Sequence, residues 1–370
     1  MAAAERDDDI GAPPRAAIRG RGTAVAPAGR FESTIREAVD DGWDLPPDPA
    51  PAPQTEVFVD HARSIITRNT SPDLPFEQSI NPYRGCEHGC VYCYARPAQA
   101  YLNLSPGLDF ETKLFYKPNA AVLLDAELRK PGYRPSMISL GANTDPYQPI
   151  ERKLGITRSI LEVLRRFHHP VGIVTKGAAM IERDLDLLTE LARDELVHVA
   201  ISITTLDPEL KRRLEPRTAA PATRLRVIER LSAAGVPTMV FFSPVIPFIN
   251  DAEMEAVLTA ARNAGAAHAS YILLRLPHEV KLLFRDWLAT HYPQKADHVM
   301  SLVQQMRGGR DNDSQFGSRM RGQGAYADVL EQRFKAACRR LGLNLSRGPA
   351  LRLDRFAPPL APGDQLGLGF

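Results

Sequence analysis

The sequence predicts an α/β protein built on a parallel sheet, and three observations carry that expectation. Short apolar segments recur along its middle at Ser136–Leu140, Val171–Thr175, Val197–Ile203, Thr238–Ser243 and Ser270–Leu274, the run expected of strands covered on both faces. Between them lie segments with apolar residues at helical spacing, Arg158–Arg166, Glu182–Ala192, Leu225–Ala234 and Glu253–Ala264, and strict alternation of the two patterns is the signature of βαβ units. Gly235 and Gly265 follow the last two segments, where a left-handed residue ends a helix. With Phe76–Asn81 as a further strand, six β/α units result. In such folds the chemistry gathers at the C-terminal ends of the strands.

The flanks read differently. Residues 1–55 are rich in Ala, Pro, Arg and Asp and close on Pro46–Pro53, which predicts a disordered, proline-extended arm. Its basic segments Arg19–Gly22 and Ala28–Glu32 are either a solvated tail or contacts to a nucleic-acid backbone. Residues 56–277 form the core, opening with the strand-like Val57–Val59 and Ser64–Thr67. From 278 to 345 the pattern is helical, at Val280–Thr290, Lys295–Met306 and Tyr326–Leu341, and 346–370 is a tail. The chain has 46 basic and 44 acidic residues, a net charge of +2, so any nucleic-acid binding has to come from a local patch. No apolar run approaches the roughly 20 residues of a membrane span, and four cysteines in 370 residues fit a reducing compartment. The expectation is a cytoplasmic protein without a membrane partner.

Three of those four cysteines fall in Ser79-Ile-Asn-Pro-Tyr-Arg-Gly-Cys-Glu-His-Gly-Cys-Val-Tyr-Cys-Tyr94 with the spacing Cys86-x3-Cys90-x2-Cys93. Thiolates hold zinc or iron–sulfur clusters, and Gly85 and Gly89 allow a tight loop. A closed structural zinc site takes four ligands, so a set of three leaves a metal position open to a reactant. A zinc knuckle that adds His88 or Cys338 is the alternative, with poor tetrahedral spacing; it would make the chain a non-catalytic iron–sulfur or zinc module that binds nucleic acid. Cys338, at helical spacing among apolar residues, reads as a buried small hydrophobe.

Cys-x3-Cys-x2-Cys with Tyr92 before the last cysteine resembles the radical S-adenosylmethionine (SAM) superfamily. Ser79–Cys86 and Asn143-Thr-Asp-Pro-Tyr-Gln-Pro-Ile-Glu151 resemble its DNA-repair-photolyase-like branch, related to spore photoproduct lyase. The resemblance implies a partial (β/α)6 barrel of the radical SAM type with a C-terminal helical extension. It also implies a [4Fe–4S] cluster on Cys86, Cys90 and Cys93, bound S-adenosyl-L-methionine, and an electron donor of the flavodoxin or ferredoxin type. The implied chemistry is reductive cleavage of SAM to methionine and a 5′-deoxyadenosyl radical that abstracts hydrogen from substrate, in a lyase, repair or modification reaction. The substrate is a nucleic acid, a peptide or a small molecule, and no catalytic side chain is assigned.

By the same resemblance Tyr92 lies against the adenine, Asn143 and Thr144 meet the methionine amino group, Lys176 pairs with the methionine carboxylate and Ser202 meets the ribose. Asp145, Gln148, Glu151, Glu215, Arg217 and Arg224 are expected to face substrate or orient the cofactor, against the alternatives of a turn or a surface ion pair. The segment 307–324 carries four arginines and five glycines; Arg307, Arg310, Arg319 and Arg321 are expected to reach a phosphate-bearing substrate. The hydrogen-donating cysteine of spore photoproduct lyase has no counterpart in Leu140–Asn143, so efficient repair of that lesion is not expected. The ending Gln365-Leu-Gly-Leu-Gly-Phe370 resembles peptides that dock weakly on a replication sliding clamp.

Overall fold

The computed structural model describes residues 18–32, 53–346, 348 and 350–360. Among these it has ten strands, β1 (Glu56–Val59), β2 (Ile66–Arg68), β3 (Gln78–Ile80), β4 (Tyr83–Arg84), β5 (Lys113–Tyr116), β6 (Ile138–Leu140), β7 (Val171–Thr175), β8 (Val197–Ser202), β9 (Thr238–Val245) and β10 (His268–Leu273). Six of them, β3, β6, β7, β8, β9 and β10, pair parallel in sequence order. This is the six-unit α/β sheet the alternating pattern predicts. β2 adds antiparallel to β3 and caps one edge, and β10 ends the other. The sheet is therefore open, as in a partial barrel. Sequential order has a functional consequence, because every parallel strand ends on the same rim.

Register keeps the apolar rows aligned. Ile80 lies opposite Leu140, Leu140 opposite Ile173, and Ile173 opposite Val199, and all four are fully buried. Helix Ile156–Arg166 covers this row with Ile160, Leu161 and Leu164. Its first turn is capped from outside, since Glu151 accepts from the Thr157 amide at 3.2 and 3.1 Å. Helix Ala120–Leu128 lies beyond what the amphipathic pattern reveals. It buries Ala120, Leu124 and Leu128 while Val122 is 72% exposed, so its apolar residues run all round rather than in a stripe.

The helical extension is not a separate layer. Val280, Leu283, Phe284 and Trp287 from helix Val280–His291, with Val299, Met300 and Val303 from helix Ala296–Gln305, share one apolar core with Val91 and Tyr92 of the cysteine loop. Cys338 is buried on helix Ala325–Leu341. Past that helix, Phe356 packs on Tyr133, Phe167 and His169 and the Ala357 amide donates to the Phe167 carbonyl at 3.0 Å. The clamp-like ending 365–370 lies outside the described residues.

One stretch of the expected disordered arm is placed and packed. Gly22 is buried, its amide donating to Glu111 at 2.9 Å. Arg21 donates to the Glu111 carbonyl at 2.9 Å and to the Pro53 carbonyl at 2.7 Å. Composition misjudged this segment because its order comes from backbone fit rather than apolar burial. A Cβ on Gly22 would stand 1.7 Å from the Gly89 carbonyl oxygen, so only glycine lets the strap lie on the cysteine loop. Gly22→Val is expected to undock residues 18–32 with the core intact. Tryptic cleavage after Arg21 should then speed up by roughly tenfold, which is what loss of about 1.4 kcal/mol of local stability gives. An unchanged cleavage rate, with unchanged circular dichroism, would contradict the docked strap.

Candidate active site around the cysteine loop

The cysteine loop leaves β4 through Gly85 (φ +75°) and turns again at Gly89 (φ +66°). At the first of these a Cβ would meet backbone oxygens of Lys113 and Phe110 at 3.0 Å. The loop is tied to its surroundings through its main chain. The Cys86 amide donates to the Phe110 carbonyl at 2.8 Å and the Val91 amide to the Leu214 carbonyl at 3.1 Å. Gln148, fully buried, accepts from the Glu87 amide at 2.9 Å and donates to the Gly85 carbonyl at 3.3 Å. Arg96, also fully buried, donates from Nε to the Cys90 carbonyl at 2.9 Å and from Nη1 to the Gly107 carbonyl at 2.9 Å. Its Nη2 pairs with Glu111, the same carboxylate that receives the strap. Breaking such a buried pair one-sidedly costs about 3–5 kcal/mol.

A second buried network holds the other end. Glu215 accepts from the Tyr92 and Thr204 hydroxyls and pairs with Arg224. Arg224 also donates to the Ser202 carbonyl at 2.7 Å and to Thr218 at 2.6 Å. Burial pushes the Glu215 carboxyl up, but Arg224, Lys176 and the two hydroxyls outweigh it and hold it at about 2. Because this pKa is depressed below 4.5, the network's contribution to stability is present above that value and is lost as pH falls toward 2. Asn250 completes the rim, donating to the Thr204 and Pro244 carbonyls at 2.7 and 3.0 Å.

The rim above the loop carries Lys176 at the end of β7. Its ammonium stands 5.9 Å from the Tyr92 ring centroid and is close enough to Cys90 and Cys93 to favour their thiolates. Asp145, after β6, accepts from Thr175 at 2.7 Å, from the Lys176 amide at 2.7 Å and from the Tyr147 amide at 2.9 Å, and faces His88 at 3.3 Å. Burial raises its pKa, but His88 and these donors hold it at about 2. Asp145 therefore both shapes a turn and fixes the backbone that carries Lys176. Asn143 is exposed at this rim with its amide on the Asn81 side chain at 2.8 Å, and Thr144 is buried on the Tyr83 carbonyl at 3.0 Å. Ser202 is buried and donates to the Ser243 carbonyl at 3.3 Å.

Several residues expected to face substrate are placed elsewhere. Gln148 is spent on the loop's main chain, and Glu151 is buried on Tyr83, Thr157 and Arg183. Glu215 and Arg224 pair below the rim. Arg217 pairs with Glu87 at 3.1 Å. Arg307 is turned inward, donating to the carbonyls of Leu274 and Arg319, both at 2.8 Å, Arg319 clamps Asp73 at 2.6 and 2.5 Å and Arg321 pairs with Glu331 at 3.0 Å. Arg310 is exposed. The common reason, Arg310 apart, is that each has a protein partner within hydrogen-bonding or ion-pairing distance. Arg96, Glu111, Asn81 and Asn250 escaped the sequence reading, since a buried polar residue far along the chain leaves no local pattern.

The donor set fits an iron–sulfur cluster. Cys86, Cys90 and Cys93 are all reduced thiols, the first two buried. Burial drives all three pKa values up, that of Cys90 to about 12, and Cys90 and Cys93 further raise that of Cys86. Three neighbouring thiolates in such a pocket need a cation, which iron supplies. Among the described residues no three Cys, His, Asp or Glu groups stand at metal-ligating geometry.

Comparison with known proteins agrees with this reading of the fold and loop. The family model of the radical SAM superfamily matches residues 80–261, from the end of β3 through β9. An uncharacterized protein of Mycobacterium tuberculosis is 38% identical over 231 residues, covering 62% of this chain and 68% of that protein. One of Methanocaldococcus jannaschii is 28% identical over 220 residues, 60% and 78% of the two chains. Among solved structures, spore photoproduct lyase complexed with dinucleoside spore photoproduct superposes with a TM-score of 0.56 at 15% identity, over 78% of this chain and 80% of that one. A mutant of that lyase with bound AdoMet and the same dinucleoside gives 0.55; these likenesses show the shared fold. Among the described residues no helix is long and apolar enough to cross a membrane. The relative's 38% identity over 68% of its length, together with the family match, shows that this chain belongs to the radical SAM superfamily and is an enzyme of that class.

Proposed function

We propose that Cys86, Cys90 and Cys93 hold a [4Fe–4S] cluster whose open iron takes S-adenosylmethionine, and that the substrate is a nucleic acid. When bound, cluster and SAM supply a one-electron cleavage that yields a carbon radical able to abstract hydrogen. The observation that carries the reading is the placement of three neighbouring thiols, two of them buried, beneath a rim lysine. Lys176 faces Cys90, Cys93 and the Tyr92 ring, and a cofactor carboxylate would give it a short charged partner. Asp145 keeps that lysine's backbone in place. Tyr92 has its hydroxyl occupied by Glu215 and Thr204, which leaves its ring face as the surface for an adenine. Ser202 and Asn143 are the rim groups left for ribose hydroxyl and amino group. No thiol follows β6 at residues 140–143, so repair of spore photoproduct is not part of this reading.

Protein isolated without oxygen and reconstituted is expected to hold about four irons and four sulfides per chain, as three thiolates around one cluster imply. Cys86→Ala, Cys90→Ala or Cys93→Ala should each abolish the brown absorbance, and Cys338→Ala should leave it unchanged. Equal loss from Cys338→Ala would refute the three-ligand site. Lys176→Ala should keep the cluster but weaken SAM binding at least tenfold by anaerobic calorimetry, as loss of a buried charged partner does. Unchanged affinity would take the carboxylate away from Lys176.

A further inference from the structure

The last strand of the barrel ends on an arginine that the protein does not neutralise. Arg275, two residues beyond β10, is half-buried, and among the described residues its only hydrogen bond is from Nη1 to the Met320 sulfur at 3.6 Å. Its Nε is buried without any hydrogen-bond partner. An arginine withdrawn from water without a carboxylate in contact is unfavourable; burial, then the nearby Arg319, lower its pKa, against smaller opposing effects of Tyr94 and Asp73. Every other rim cation described above except Lys176 and the exposed Arg310 has a protein acceptor.

Arg275 stands beside the cysteine loop. The Arg275 guanidinium lies 5.7 Å from the ring centroid of Tyr94, the residue immediately after the cluster ligand Cys93. The Tyr94 hydroxyl reaches across to the Ala142 carbonyl behind β6, so Tyr94 spans the rim from the second parallel strand to the sixth. It is 50% exposed. The wall behind Arg275 is the 307–324 loop, held by Arg307 on the Leu274 carbonyl and by the Leu273 amide on the Met320 carbonyl at 3.0 Å. That loop brings up Arg319, clamped on Asp73, with its guanidinium 4.7 Å from the centroid of Phe316, a ring 58% exposed. Two cations, one carboxylate and two exposed rings thus gather beside the cysteine loop.

We infer that Arg275, backed by Arg319 and flanked by Tyr94 and Phe316, binds a phosphate of a single-stranded nucleic-acid substrate at the mouth of the barrel. The inference deepens the proposed function and rests on it. A planar guanidinium matches phosphate oxygens, and exposed rings beside a cationic path are the means by which single strands are held without regard to sequence. The arginine-rich loop thereby acts through Arg275, which it frames, more than through its own inward-turned Arg307.

The test is fluorescence anisotropy of the cluster-loaded full chain with a labelled single-stranded DNA or RNA of about 16 nucleotides, titrated across salt concentrations. Arg275→Met is expected to weaken binding at least tenfold and to lower the logarithmic salt slope by about one, the signature of one lost phosphate contact. Arg275→Lys should restore the slope, and Arg165→Met, on an exposed pair with Glu190, should match wild type. Arg275→Gln serves as a second charge-removing variant should the methionine variant not fold. Wild-type affinity in both variants, no oligonucleotide binding by wild type, or equal binding of a polyglutamate peptide would overturn the inference. So would a loss of SAM affinity in Arg275→Met with oligonucleotide binding intact, which would make the arginine a cofactor ligand. Iron content and SAM binding are read on the same samples, so failure of the radical reading shows separately.

Discussion

The constraint on which this structure depends is that three thiols must be kept close together in a buried loop that has almost nothing of its own to fold with. Between Gly85 and Cys93 the loop makes only the short main-chain bonds of Gly89 to Cys86 and Cys93 to Cys90. Its shape is imposed from outside by Gln148, by the Arg96–Glu111 pair and by the Glu215–Arg224 pair. Each is fully or almost fully buried, and Gln148, Arg96 and Glu215 reach the loop backbone or Tyr92 directly while Glu111 and Arg224 hold Arg96 and Glu215 in place. Buried polar groups that are fully paired fix one arrangement and penalise the alternatives. That rigidity is what a loop of glycines and cysteines lacks.

The open sheet then decides what the loop faces. Because the six parallel strands follow one another in order, their ends present Asp145, Lys176, Ser202, Asn250 and Arg275 to one rim in sequence. The lower side is closed by the helical extension, which packs Trp287 and its neighbours against Val91 and Tyr92. The strap through Gly22 closes the flank. On the remaining side half-exposed Tyr94 meets Arg275, which has no carboxylate within hydrogen-bonding distance among the described residues.

Much of this was legible in the sequence, and the limits are physical. The five strands from Ser136 onward and the segment before the cysteines all form, within a few residues of their expected bounds, because a strand buried on two faces has to be continuously apolar. Lys176 and Asn143 lie just past strand ends, as expected, because a strand end is a local landmark. Gln148, Glu151, Glu215 and Arg224 are buried on protein partners, an arrangement the sequence does not distinguish from one facing the mouth. Composition shows that a polar residue is present near the rim, but whether it points into the mouth or beneath it depends on partners tens to hundreds of residues away. The strap was missed for the opposite reason, since Arg19–Gly22 has the composition of a disordered tail and is ordered by a close backbone approach and by hydrogen bonds to distant residues. Arg275 carried no signal at all, as an unpaired arginine looks the same in sequence as a paired one.

The account stands on the claim that this loop is built to hold a cluster that cleaves S-adenosylmethionine. The direct measurement is anaerobic incubation of the reconstituted full chain with dithionite and S-adenosylmethionine, followed by mass spectrometry for 5′-deoxyadenosine. Wild-type protein is expected to form it, Lys176→Ala to form it more slowly at subsaturating cofactor, and Cys90→Ala to form none. Cluster-loaded wild-type protein that leaves S-adenosylmethionine intact would contradict the account.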